Sequence, residues 1–194
     1  MRIVALTTVA AFALAAAACN TETGNDVSTD VNLAEDTAAN DVLGANATAN
    51  PVMPTDAAGF ANAVAVADLY EVEGARLAAD KATNADVTSL AQHIRTDHEK
   101  STSELKSAAG TAGISVAPKL DAEKQGMLDQ LKAAARGADF DRLYVEQQKT
   151  AHQKALALLQ GYSTGGDNEA LKAFATKTLT AVQSHLDHAN SIKL

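Results

Sequence analysis

The chain has 194 residues, with 16 Lys and Arg against 24 Asp and Glu, and aromatic residues make up only 4% of it. A formal net charge of −8 makes it a poor partner for nucleic acid or for an anionic membrane surface, so neither kind of binding is expected. The chain has one cysteine, Cys19. If Cys19 is acylated, the folded part has no disulfide, thiolate metal ligand or cysteine nucleophile.

The N-terminus has the pattern of an export signal. Arg2 precedes an uncharged apolar run that ends in small residues directly before Cys19, and this run is shorter than the about 20 apolar residues of a membrane-spanning helix. Residues 1–18 are therefore predicted to be a lipoprotein-type signal peptide, with Cys19 lipidated after cleavage. The alternative is a secreted protein with an unmodified thiol. Asn20 gives no signal for inner-membrane retention, so we expect a lipid anchor in the outer membrane of a bacterial envelope, facing the periplasm.

A polar segment follows the cysteine. Residues 19–54 contain six acidic residues and no Lys or Arg, and their apolar residues are isolated and without period. Such a segment buries too little apolar surface to offset the entropy of ordering the chain. We predict a disordered acidic tether that spans on the order of 30 Å.

Residues 55–194 form one domain in which apolar residues recur at helical spacing, with no alternating strand pattern. The pattern predicts an all-α domain with long helices over about 56–81, 84–110, 139–161 and from 167 onwards, and a shorter helix over about 121–137. Four long helices with an extra short helix in the middle connection indicate a ferritin-like four-helix bundle.

One large polar residue interrupts the apolar face of each long helix: Glu71, His98, His152 and His185. Buried imidazole and carboxylate groups must be paired or bound, so this layer is either a structural hydrogen-bond network or a site for one divalent metal ion such as zinc. If the middle connection crosses the whole bundle, the first three residues lie within about 5 Å of one level, with His185 one to two turns away. Asp97 and Gln148 are predicted to orient the ligands from outside the site.

The spacing does not fit a di-iron carboxylate centre. That chemistry requires Glu three residues before His on two helices, whereas Arg95 precedes His98 and Val182 precedes His185 at this spacing. The sequence also contains no serine-hydrolase elbow, phosphate loop or dinucleotide fingerprint. No catalytic residue is therefore predicted.

Four stretches, one per long helix, resemble a family of exported bacterial proteins named domain of unknown function 4142. They contain Glu71-Val-Glu-Gly-Ala-Arg-Leu-Ala78, Asp97-His98, Phe140-Asp-x-x-Tyr144 with His152, and Leu179 to His185-Leu186. The resemblance covers residues 56–194 and departs at Thr180, where the family often has proline. It implies a ferritin-like fold whose activity is not established, and characteristic polar positions at Glu71, Asp97, His98, His152 and His185.

Together these features predict a non-enzymatic envelope lipoprotein that binds a divalent metal ion in the bundle and serves stress tolerance. A metal-dependent oxidoreductase or other enzyme is one alternative. A metal-free protein-interaction module is another, and the sequence identifies no protein partner.

Overall fold

The computed structural model describes residues 53–194, which contain five α-helices. Their bounds are α1 Ala57–Lys81, α2 Ala85–Thr111, α3 Ala122–Ala133, α4 Ala138–Gly165 and α5 Glu169–Ser191. The predicted all-α fold is confirmed, including the short helix in the middle connection. The predictions for the signal peptide, for Cys19 and for nearly all of the tether concern residues outside this range.

Side-chain caps start three helices close to residues 56, 84 and 121, where the sequence predicts that helices begin. Asp56 accepts a hydrogen bond from the Gly59 amide at 2.7 Å, Asn84 accepts from the Asp86 amide at 2.8 Å, and Asp121 accepts from the Lys124 amide at 2.7 Å. Each bond satisfies an amide that has no partner inside the helix.

The start of α5 differs from the prediction. Asn168, rather than Asp167, caps the helix by accepting from the Leu171 amide at 3.1 Å. Asp167 instead accepts a hydrogen bond from the Tyr162 hydroxyl at 2.9 Å. Because α4 continues to Gly165, Asp167 lies in the turn between α4 and α5. Its bond with Tyr162 holds this turn against the end of α4.

The middle connection crosses the full length of the bundle. Gly137, just before α4, donates its amide to the carbonyl of Lys81 at the end of α1, at 3.1 Å. At the opposite end, the ring of Phe60 near the start of α1 stacks on Tyr162 near the end of α4, with ring centroids 3.8 Å apart. Helices α2 and α4 therefore run in the same direction, as in ferritin-like bundles.

Helix α3 packs against α1 and α4 on the outside of the bundle. The Lys81 ammonium group donates to the carbonyls of Leu131 at 3.3 Å and Ala134 at 2.9 Å, and also to that of Lys132. These carbonyls lack helical partners at the C-terminus of α3, where a cation is also favoured by the helix dipole. Lys81 thus fixes the end of α3 against the end of α1.

The buried apolar residues form two clusters, one toward each end of the bundle. The first includes Leu90, Ile94 and Tyr144, and the second includes Phe60, Leu105 and Leu171. Between them the helices bury a layer of polar side chains. Within residues 53–194, none of the helices has the length and apolar character needed to cross a membrane.

Candidate metal centre

Three histidines from three helices meet in the middle of the bundle. His98 on α2 is 6% exposed, His152 on α4 is 1% exposed and His185 on α5 is 4% exposed. His98 follows Ile94 of one apolar cluster by one turn and precedes Leu105 of the other, so the layer lies between the two clusters. Because α2 and α4 are parallel, His98 and His152 lie at the same level of the bundle.

The three rings are close enough to share one ion. Their centroids are 5.7 Å apart for His98 and His152, 5.7 Å for His98 and His185, and 5.3 Å for His152 and His185. Each histidine has one ring nitrogen in a set of three that lie within 4.8 Å of one another. Histidine nitrogens bind zinc at about 2.0–2.1 Å, which separates two ligands by about 3.3 Å in a tetrahedral site. The Nε2 of His152 and the Nδ1 of His185 are 3.3 Å apart.

Asp68 on α1 fixes the orientation of His98. The Nδ1 of His98 donates to Asp68 Oδ1 at 2.7 Å, and Asp68 is itself only 2% exposed. The Thr102 hydroxyl donates to the second oxygen of Asp68 at 3.3 Å. The Nε2 of His98 is buried and has no hydrogen-bond partner among residues 53–194, so this nitrogen is the one available to a ligand.

His152 and His185 are fixed from outside the centre in the same way. The Nδ1 of His152 donates to the main-chain carbonyl of Gln148 at 2.9 Å, and the Nε2 of His185 donates to Asp97 Oδ2 at 2.9 Å. In the neutral rings, His152 Nε2 and His185 Nδ1 are then both lone-pair acceptors. Two acceptors at 3.3 Å do not hydrogen-bond, so a proton or a cation is needed between them.

The electrostatics keep two of the rings neutral. Burial, followed by the charge on His98 and His185, lowers the pKa of His152 to about 3. Burial, followed by the charge on His98, also lowers the pKa of His185. Burial lowers the pKa of His98 as well, but the hydrogen bond and charge of Asp68 outweigh it and the net shift is upward. Neutral imidazole is the form that binds a metal ion.

A second group of buried polar atoms borders the histidines on the α1–α4 side. Glu71 is 3% exposed and its Oε1 is 3.9 Å from His152 Nδ1. Burial raises the pKa of Glu71 to about 7, and the charge of His98 partly offsets this effect. Within the described part of the chain, Glu71 Oε2, the Tyr144 hydroxyl and both side-chain polar atoms of Gln148 have no hydrogen-bond partner.

The structure brings together most of the site residues that the sequence predicts. His98, His152 and His185 form the closest set, and the Asp97 carboxylate accepts from the outer nitrogen of His185. The main-chain carbonyl of Gln148, not its side chain, accepts from that of His152. Glu71 borders His152 and is not in the set of atoms within 4.8 Å, so its role as a ligand stays a prediction. Cys19, the predicted lipidation site, lies outside the described residues.

His185 lies closer to the other histidines than the sequence estimate of one to two turns. The estimate was wrong because α4 extends to Gly165 and α5 begins only at Glu169. His152 is then 13 residues before the end of α4 and His185 is 16 residues after the start of α5, which is nearly the same depth.

Asp68 is the residue of the candidate site that sequence reasoning missed. Asp68 is buried, whereas its neighbour Ala67 is only half-buried. A signal was present, because Asp68 follows Val64 by four residues and precedes Glu71 by three, the spacing of one helix face.

The fold is similar to that of a known copper-bound structure. "CopM in the Cu(II)-bound form" matches with a TM-score of 0.57 and 18% sequence identity, over 70% of this chain and 93% of that chain. At this identity the likeness extends to the fold alone. None of the curated proteins matches the chain. Residues 42–192 match the family described as "Domain of unknown function (DUF4142)", and the chain belongs to this family, as the four motif stretches indicate.

Proposed function

We propose that this protein binds one transition-metal ion, with copper the expected ion, among His98, His152 and His185. One observation carries the proposal. Each buried imidazole donates one N–H outward, to Asp68, to the carbonyl of Gln148 or to Asp97. One ring nitrogen of each histidine lies within 4.8 Å of those of the other two, and the inward nitrogens of His152 and His185 are 3.3 Å apart.

A purely structural network is the weaker explanation of this layer. Buried polar atoms in a structural network are nearly always paired, because an unpaired one costs about 1–3 kcal/mol. Here His98 Nε2 has no partner within the described residues. The inward nitrogens of His152 and His185 are both acceptors and face each other at 3.3 Å. A metal ion satisfies all three nitrogens at once. His98 also donates its outer N–H to a carboxylate, that of Asp68, as metal-ligating histidines typically do.

The donor set favours copper or zinc over harder ions. Imidazole suits copper, zinc, iron and nickel, whereas magnesium and calcium prefer oxygen ligands. Among divalent ions, copper binds a given nitrogen site most tightly. The similar structure is of a Cu(II)-bound protein, which supports testing copper first and zinc, the ion first expected, as its competitor.

The burial of the histidines favours retention of an ion over catalysis. At exposures of 1–6%, the centre gives little access to a substrate larger than water. We therefore propose an ion-binding role in the cell envelope, linked to tolerance of metal stress. The protein would be anchored through lipidated Cys19 in the outer membrane and held in the periplasm by the acidic tether.

The test is elemental analysis of the full chain, carrying Cys19→Ser to remove its thiol and no histidine tag, after exposure to copper and zinc together. We expect about one ion per chain to survive desalting, and His98→Gln with His152→Gln to abolish it. Asp80→Asn, an exposed change on α1, is the control. A folded wild-type protein that retains no metal, or a double variant that retains it fully, contradicts the proposal.

A further inference from the structure

All five histidines of the chain lie in one region of the bundle. Three form the buried centre, and the other two, His93 on α2 and His188 on α5, face each other with ring centroids 6.0 Å apart. His93 is exposed and His188 is half-buried. An exposed histidine alone is ordinary, but a pair across two helices next to a buried histidine cluster needs an explanation.

The outer pair is connected to the buried centre through one helical turn. Asp97 follows His93 by four residues and His185 precedes His188 by three, so the pair lies about 5 Å along the bundle from both. Asp97 Oδ2 and His185 Nε2 are 2.9 Å apart, with side chains 46% and 5% exposed. Asp97 and His185 thus form the boundary between solvent and the centre.

We propose that His93 and His188 form an outer transition-metal site that captures ions from solvent and passes them to the buried centre past Asp97 and His185. Two imidazoles leave the remaining coordination positions to water, so the outer site binds weakly and releases its ion readily. The Asp97 carboxylate supplies negative charge at the next step inward. The ion then reaches the free nitrogens of His185 and His152.

This arrangement solves a physical problem of the buried centre. A site whose ligands are 1–6% exposed binds an ion only after the ion has lost its water, and charge transfer into an apolar bundle is costly. Replacing that water in steps, first by two exposed imidazoles and then by a carboxylate, lowers the cost of each step. The capture step stands by itself, and the transfer step rests on the proposed function.

The first test counts sites at equilibrium. The full chain with Cys19→Ser is titrated with Cu(II) alone and followed by electron paramagnetic resonance. We expect two spectrally distinct ions in the unsubstituted background, loss of the weaker one in His93→Gln/His188→Gln, and its survival in His98→Gln/His152→Gln. Gln92→Ala/Asn190→Ala, exposed neighbours on the same two helices, is the matched control and should bind two.

The second test measures loading. At limiting Cu(II), quenching of tyrosine fluorescence in stopped flow reports entry of the ion into the bundle. We expect His93→Gln/His188→Gln to slow loading at least tenfold and to reach the same final occupancy of the buried centre.

The outcomes separate the two ideas. If the His93/His188 variant keeps the weaker ion, the outer site does not exist. If this variant loses the weaker ion but its buried centre takes up Cu(II) as fast as in the protein with both histidines, the transfer step is wrong. If the weaker ion binds in every protein with intact His93 and His188 and no tight ion ever binds, the outer site stands and the proposed function fails.

Discussion

Two groups of buried polar side chains in this bundle differ in how fully they are paired. Asp141, at the start of α4, is 2% exposed and accepts from the Thr83 amide at 3.2 Å, the Thr83 hydroxyl at 3.0 Å and the Asn84 amide at 3.0 Å. The histidine layer is buried to the same degree, yet His98 Nε2 and Glu71 Oε2 have no partner within residues 53–194.

The difference separates a structural role from a binding role. Asp141 holds the α1–α2 turn against α4 and places a carboxylate where the amides just before α2 need acceptors. Both of its oxygens accept hydrogen bonds, so it is satisfied without a ligand. The histidines are fixed from outside and open toward one another, which is a costly arrangement unless something binds. Equal burial with unequal pairing therefore identifies the site.

The largest effect, a loss of stability, should come from removing the structural carboxylate of Asp141. Asp141→Ala removes three hydrogen bonds to a charged acceptor at a helix junction, and we expect the free energy of unfolding to fall by about 3 kcal/mol. Metal stoichiometry should stay the same, because Asp141 does not touch the histidines. Urea unfolding and elemental analysis of the same samples check both statements. A variant that keeps its stability but loses the ion would reverse the assignment of the two groups.

Asp68→Asn tests the support of the centre itself. Loss of the carboxylate behind a metal-binding histidine typically costs 10–100-fold in affinity, and we expect a loss in that range, measured by competition with a chromogenic chelator. The pKa of His98 should fall, since burial would no longer be opposed by the charge of Asp68; NMR titration measures it. Asp80→Asn carries the same change of charge on the exposed side of α1. An unchanged affinity would show that His98 is not a ligand.

The fold and the site were predictable to different extents. The caps at Asn84 and Asp121 are local signals, and a connection too long for a simple turn indicates the crossover, so fold class followed from sequence. Asp68 was missed because α1 packs against α2, α3 and α4 and buries a wider arc than one narrow stripe. The contact that orients His152 is local, four residues back on α4, but those that orient His98 and His185 join residues 30 and 88 positions apart, which no local pattern encodes.

Glu71→Gln tests whether the unpaired carboxyl is a ligand or only a neighbour. The folded-state pKa of about 7 exceeds the unfolded value of about 4.3, so the folded protein retains a proton that the unfolded chain releases between those values. Wild-type stability should therefore fall as pH rises through this window, and the metal-free variant should lack that decline. At pH 8 we expect the variant to be about 1–2 kcal/mol more stable, with the buried amide offsetting part of the gain.

Denaturation of the metal-free protein between pH 4 and 8 checks this expectation, with the difference vanishing at the acidic end. If Glu71 only borders His152, as the 3.9 Å separation indicates, metal affinity should change by less than about tenfold. A larger loss would establish Glu71 as a fourth ligand.

The smallest effect should come from Asp97→Asn. It removes the carboxylate that accepts from His185, just as Asp68→Asn removes the one that accepts from His98. The two bonds have similar lengths, 2.9 Å and 2.7 Å, but the side chain of Asp97 is 46% exposed and that of Asp68 is 3% exposed. Solvent screens the exposed carboxylate and can replace it as an acceptor. We expect equilibrium affinity to fall less than tenfold, measured with the same chelator. A loss equal to that of Asp68→Asn would mean that burial does not set the strength of these contacts and that position relative to the ion does.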